Sequence, residues 1–165
     1  MKRTLFATLV LAVCTGLLRS PPAPAADSSS IYDTLMGRSD TSILWVAVTE
    51  AKETATLTGD DKYTLFAPTD AAFKKLDDAT IKKITADKAN VKKLLLTHLV
   101  MGEYNTTKLK KDRVKELRTL QGTALKVEET KDGWRIGGAK LAVADIPCSN
   151  GTVHLIDVVL PTAKE

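Results

Sequence analysis

The chain changes rhythm as it is read. After an uncharged, mostly apolar run from Leu5 to Leu18, apolar side chains in the first half recur every three or four residues, and in the second half every other residue. The first spacing lines up one face of a helix, the second one face of a strand. Leu44, Val48, Ala51 and Ala55 form a helical stripe flanked by Trp45 and preceded by the capping pair Thr41-Ser42, so a helix is predicted there. Gly59-Asp60-Asp61 then turns the chain into a β-prone run, Tyr63 to Ala67, that stops at Pro68. Thr69 is placed to cap the following helix, with Asp70 in its first turn at the positive end of the helix dipole and Phe73 and Leu76 facing the core. A short helix is predicted around residues 80–84 and a longer one over 87–99. In the longer one Val91, Leu94, Leu95 and His98 share a face, with Lys88, Lys92 and Lys93 largely off it.

Alternation takes over later. Leu125 and Val127 are interleaved with Lys126 and Glu128, Asp132-Gly133 marks a hairpin, and Trp134-Arg135-Ile136 alternates on the return. Gly137-Gly138 closes that arm, and Lys140 to Ile146 reads as a strand ending at Pro147. Asn150-Gly151 is the strongest two-residue hairpin signal in the chain. It opens a last strand, Val153 to Leu160, apolar enough for burial on both faces. Helices first and antiparallel strands later predict an α+β fold. No repeat, low-complexity tract or Pro/Gly-rich linker interrupts the chain after Ile31, so residues 31–165 are expected to form one domain.

The N-terminus belongs to another category. Lys2 and Arg3 precede the apolar run, Arg19 ends it, and Pro21 to Ala26 is rich in small residues. This is the pattern of a secretory signal peptide, residues 1–25, cleaved after Ala25 or Ala26, with residues 26–30 as a flexible leader. The run is too short for a membrane span of about 20 apolar residues, so no transmembrane segment is expected after cleavage. A lipoprotein site at Cys14 is disfavoured because Val13 replaces the usual small residue. Localisation is therefore expected to be secreted, extracellular or periplasmic.

Export changes the charge and cysteine arguments. The full chain has 24 Lys+Arg against 20 Asp+Glu, but Lys2, Arg3 and Arg19 leave with the signal, so the mature balance is 21 against 20, a net charge of +1. Nucleic-acid binding needs a concentrated basic face, and clusters such as Lys108 to Lys111 are offset by interspersed acids; no nucleic-acid partner is expected. Loss of Cys14 leaves Cys148 as the single thiol, so no internal disulfide is possible and the core must hold the domain together. Cys148 is read as a small buried hydrophobe.

Three segments carry a family resemblance. Phe66-Ala67-Pro68-Thr69-Asp70 followed by Phe73 resembles the first conserved block of the fasciclin domain. Leu95 to Tyr104 is similar to the family's helix end and Gly-x-Tyr step, and Asn150 to Pro161 resembles its second block, with Thr152 where an aliphatic is commoner. The resemblance implies a wedge-shaped antiparallel β-sandwich with several helices packed on one side. It also implies a secreted, non-catalytic module for cell-surface or matrix adhesion, whose partner is a cell-surface protein, matrix component or glycan, with no cofactor. In some animal members integrin contact is assigned to a Tyr-His pair at the end of the long helix and to an Asp-Ile pair just before the second block. Here these positions are Thr97-His98 and Asp145-Ile146, so Asp145, Ile146 and His98 are the candidate partner-binding residues. Phe66, Pro68, Thr69, Asp70, Phe73, Asn150, Gly151, His154 and Asp157 are expected to make the fold.

Candidate chemistry is sparse. Asp70 and Asp157 read as carboxylates that satisfy backbone groups rather than as an acid/base pair. The only histidines, His98 and His154, lack metal-ligand spacing, and a site of three or more ligands would have to recruit acids. They nevertheless define the alternative function, a periplasmic ligand carrier or metal/haem-binding protein. No Gly-x-Ser-x-Gly elbow, phosphate loop or dinucleotide fingerprint is present, so no catalytic residue is predicted. Asn105-Thr106-Thr107 and Asn150-Gly151-Thr152 satisfy the glycosylation sequon, the second at a tight turn.

Overall fold

A computed structural model describes residues 29–85 and 87–161; the signal peptide expected at 1–25 and most of the leader lie outside the described residues. Three short helices come first: α1 (Ile31–Met36), α2 (Ser42–Ala51) and α3 (Thr54–Thr58). Strand β1 (Tyr63–Pro68) leads into α4 (Asp70–Phe73), α5 (Asp78–Thr85) and α6 (Lys88–His98), then β2 (Leu99–Met101) and α7 (Thr106–Lys111). The rest is strand: β3 (Glu116–Arg118), β4 (Ala124–Thr130), β5 (Gly133–Ile136), β6 (Ala139–Cys148) and β7 (Gly151–Ile156). The α+β class expected from the sequence is the one observed.

The strands form one ribbon in the order β2-β1-β7-β6-β5-β4-β3. Its two ends approach each other: Val100 of β2 bridges Thr119 beside β3, and Leu120 N–H donates to Leu99 O at 2.8 Å. The sheet is therefore almost a closed barrel. It is mixed, because β1 and β7 run parallel, from Tyr63 opposite Gly151 to Pro68 opposite Ile156, while every other pairing is antiparallel. Parallel pairs occur where both faces are covered, and β7 is buried at all of its positions. Alternation divides these two strands between two cores. Leu65, Ala67, Val153 and Leu155 pack under the helices with Ile31, Leu35, Leu44, Val48 and Leu95. Phe66 and Ile156 face the inside of the sheet with Val100, Leu125, Ile136 and Leu141.

Several boundaries differ from the sequence reading, each for a local reason. The stripe expected to run from Leu44 to Ala55 is cut at Lys52, which adopts a left-handed conformation (φ 59°) and starts a new helix; Ala55 is exposed and Leu57 takes the buried place. Both glycine turns are shifted by one residue. Thr130 pairs with Gly133 and Cys148 with Gly151, so Lys131-Asp132 and Ser149-Asn150 make the turns and each glycine opens a strand. Strand β6 runs through Pro147 to Cys148, because the β5 pairing has already ended at Lys140 and a missing N–H on that edge removes no ladder bond. The last strand ends at Ile156, before Asp157 bends the chain. The leader loses its final residues to the domain: Ser30 forms a capping box with Asp33 on α1, and Ser29 O accepts from Ser149 N.

Candidate functional site

The first motif builds a helix junction. Thr69 caps α4 as expected, its hydroxyl accepting from Ala72 N. Asp70 does not serve its own helix; its Oδ1 accepts from Ile43 N at 2.9 Å, in the first turn of α2. The Thr41 hydroxyl, expected to cap α2, instead donates to Leu35 O. A carboxylate from another element thus satisfies an orphan amide and meets the positive end of that dipole. Phe66 and Phe73 on either side are buried, and Pro68 ends β1 where the chain turns into α4.

The second motif is a set of ties. Asn150 is buried; its Oδ1 accepts from Ile31 N (2.9 Å) and its Nδ2 donates to Leu57 O (2.7 Å) and Gly59 O (3.1 Å). One amide therefore joins the start of α1, the end of α3 and the β6–β7 turn. Gly151 has φ 147°, and a Cβ there would lie 1.8 Å from Tyr63 O, so the β1–β7 approach admits only glycine. Asp157 accepts from Lys140 N at 2.9 Å and pairs with Lys75 at 3.4 Å. Partial burial pushes its carboxyl up, but those two partners outweigh it and hold it below the usual range.

Both histidines are fully buried and bonded at both ring nitrogens. His98 Nδ1 donates to Leu94 O (2.8 Å), and its Nε2 accepts from Leu160 N (3.0 Å). Those partners assign the neutral Nδ1–H tautomer, and burial, opposed by the Leu94 bond, lowers its pKa to about 4. His154 is the other tautomer, its Nε2 donating to Tyr104 O (2.7 Å) and its Nδ1 accepting from Asp145 N (3.1 Å). Its ring stacks on Phe66, centroids 5.4 Å apart, and burial lowers its pKa as well. His98 must therefore be removed from the candidate partner-binding set, since it has no surface to offer. Neither ring keeps a free lone pair for a metal or haem iron, and among the described residues no group of three or more His, Cys, Asp or Glu side chains is placed to hold an ion.

The Asp145-Ile146 pair sits on an irregular stretch of β6. The register with β7 slips between Leu141 and Val143 and again between Val143 and Ile146, and Asp145 adopts a left-handed backbone (φ 58°). Its carboxylate accepts from Thr106 N (2.7 Å) and from the Thr106 hydroxyl, fastening the first turn of α7 to β6. Asn105 completes that cap, accepting from Lys108 N at 2.7 Å. Ile146 is partly buried against the helix-side core. What remains outward is the shoulder Ala142–Asp145, with Val143 40% exposed. Cys148 is buried as expected, with the Thr34 hydroxyl 3.2 Å from its sulfur.

Two of the concave features among the described residues are large enough to hold a small ligand. A shallow apolar groove of about 590 Å³ runs between α2 and α6, lined by Ile43, Val46, Ala47, Glu50 and Val91. A second cleft of about 490 Å³ separates α7 from the β4–β5 hairpin, lined by Thr106, Thr107, Lys110, Lys111, Glu129 and Trp134. The sequence reading missed the cleft. Asn105-Thr106-Thr107 reads as a sequon, although an Asn before a basic amphipathic stretch is also a helix start. Glu129 and Trp134 are far from it in sequence and meet only through the hairpin register.

A fasciclin-domain model matches residues 39–162 of the chain. Cell surface glycolipoprotein MPB83 of Mycobacterium bovis is 30% identical over 145 residues, which are 88% of this chain and 62% of that protein. An uncharacterised Synechocystis sp. protein is 31% identical over 119 residues, 72% of this chain and 87% of its own length. The chain thus spans under two thirds of the mycobacterial relative. Among solved structures, a FAS1 domain pair from the insect cell adhesion molecule fasciclin I superimposes with a TM-score of 0.70 at 20% identity, covering 81% of this chain and 51% of the pair; that likeness concerns the fold.

Proposed function

The chain belongs to the fasciclin domain family, and on that premise we propose that it is an exported, non-catalytic module that works by surface contact. Its partner is a cell-surface protein, a matrix component or a glycan, and its place is outside the cytoplasm, secreted or periplasmic. The observation that carries this reading is how the motifs' buried and half-buried polar side chains are used. Asp70, His98, Asn150 and His154 all engage backbone groups. An active site or carrier pocket needs polar groups aimed at a ligand, and these are aimed at the chain itself. The cell-surface description of MPB83 supports the location, and no helix among the described residues is long and apolar enough to cross a membrane.

Exteriors suited to contact include the β6 shoulder around Val143 and the α2–α6 groove around Val46, each with an exposed aliphatic side chain. Asp145 and Ile146 contribute by holding the shoulder in shape. The test is retention of fluorescently labelled protein on the surface fraction of its native host, competed with unlabelled protein. Saturable, displaceable retention is expected, weakened about fivefold or more by V143D or V46D if that residue is a hot spot. Folded protein that shows no displaceable retention on any surface fraction refutes the proposal.

A further inference from the structure

We propose that the cleft between α7 and the β4–β5 hairpin is a saccharide site, selective for a sugar ring that carries a carboxylate. The inference rests on the contact-module reading and names one chemical class of partner for it. Glu129 and Trp134 are direct cross-strand partners, so their side chains stand on the same face of the hairpin. Trp134 is half-buried and packs against the sheet-side core, which makes its indole a fixed plate at the cleft wall. Thr107, Lys110 and Lys111 come from the opposite wall; their spacing of three and four residues places them on one face of α7. Lys110 reaches across to Glu129 at 2.7 Å.

Each part suits a sugar. A pyranose has an apolar C–H face and a rim of hydroxyls, each both donor and acceptor. The indole offers an apolar face beside water, and the Lys110–Glu129 pair sets a donor next to an acceptor. The Thr107 hydroxyl lies on the other side. Lys110 and Glu129 neutralise one another, while Lys111 has no carboxylate partner within salt-bridge distance among the described residues, so these residues leave the cleft one uncompensated ammonium. That charge selects an acidic ring over a neutral one. The cleft is also within the size of small-ligand sites, a few hundred Å³, and is open to solvent rather than enclosed, so a ring can enter it from outside.

The experiment uses the two tryptophans of the chain, Trp45 and Trp134. In a Trp45→Phe variant the indole of Trp134 is the only reporter. A galacturonate trimer is expected to change its emission saturably, and a neutral galactose trimer of equal length to bind about threefold to fivefold more weakly, the range of one exposed ion pair. Lys111→Met, which keeps the stem, is expected to lose that preference. By calorimetry, Trp134→Ala abolishes binding while Trp134→Phe retains part of it, both with unfolding midpoints measured beforehand. The assignment is overturned if neither sugar binds, if the two bind equally, or if binding survives in folded Trp134→Ala. The surface-retention assay separates the two readings. Retention without sugar binding sinks the cleft and leaves the contact module standing; sugar binding without retention does the reverse.

Discussion

Acid should destabilise this domain through His98 before the low-lying carboxyls of Asp33, Asp40 and Asp157 titrate. The ring is fully buried, donates from Nδ1 to Leu94 O and accepts at Nε2 from Leu160 N. A proton on Nε2 would face that N–H and break the tie between the end of α6 and the chain beyond β7. The folded value is about 4, against 6.5 for a free imidazole. A histidine held neutral in the fold contributes stability that is complete above the unfolded value and declines as the pH falls from 6.5 to about 4. That gap, at about 1.4 kcal/mol per pH unit, amounts to about 3–4 kcal/mol in full, of which about 3 kcal/mol is lost by pH 4. His154 acts in the same direction, and Asp33, Asp40 and Asp157, all held low, add their losses only in more acidic solution. The His98 share is therefore isolated by difference. Urea unfolding of wild type and His98→Gln, followed by circular dichroism from pH 7.5 to 4, is the assay. Wild type is more stable at neutral pH, and its advantage should shrink by about 3 kcal/mol across the range. Two curves that stay parallel to within about 0.5 kcal/mol would show that the proton linkage does not pass through this ring.

Gly151→Ala drives a Cβ into Tyr63 O, so β1 and β7 must part; a loss of about 4 kcal/mol or more is expected in chemical denaturation. Gly122→Ala, with a positive φ but nothing within 4 Å, should lose only about 1–2 kcal/mol, and equal losses would refute the close-approach explanation. Asn150→Ala leaves Ile31 N and Leu57 O buried without their partner, and about 2–4 kcal/mol should disappear; a variant within about 0.5 kcal/mol of wild type would contradict the tie. Asp145→Ala removes the outer hold on Thr106 and should lose about 1–2 kcal/mol with faster amide exchange at the start of α7, whereas Asp145→Asn, which tolerates the left-handed backbone, should keep about half. Zinc, copper and haem should find no stoichiometric site that is abolished by alanine at both His98 and His154, because neither ring has a spare lone pair.

Much of the fold was legible because it is local. The face of α6 is a run of consecutive turns, the Thr69 cap sits next to its helix, and Gly137-Gly138 lies between the strands it joins. The cap of α2 was not, because its carboxylate comes from Asp70, 27 residues away from Ile43. Turn positions slipped by one for a related reason: Asn-Gly is a strong hairpin signal, but Asn150 faces inward to three distant backbone groups and Gly151 makes room for Tyr63. The parallel β1–β7 pair left only an indirect trace, the unbroken apolar character of the last strand. The burial of His98 was readable from its helix face, yet its partner Leu160 belongs to the far end of the chain.

Asp145 shows how the two kinds of information combine. In sequence it looks like half of a contact motif, while in the fold its carboxylate belongs to Thr106 and its amide to His154. Thr106 opens α7, and the next residues of that helix wall the cleft facing Trp134. Loss of adhesion in an Asp145 variant therefore does not locate the contact, because the substitution also loosens the cleft wall about one helical turn away. The pair Asp145→Ala and Trp134→Ala resolves it. If α7 carries the contact, the double variant should be little worse than Trp134→Ala alone, since the wall has nothing left to present. If the β6 shoulder touches the partner directly, the two losses should add. Non-additivity would make Asp145 a positioning residue for the cleft, and additivity would return it to the surface where the sequence first placed it.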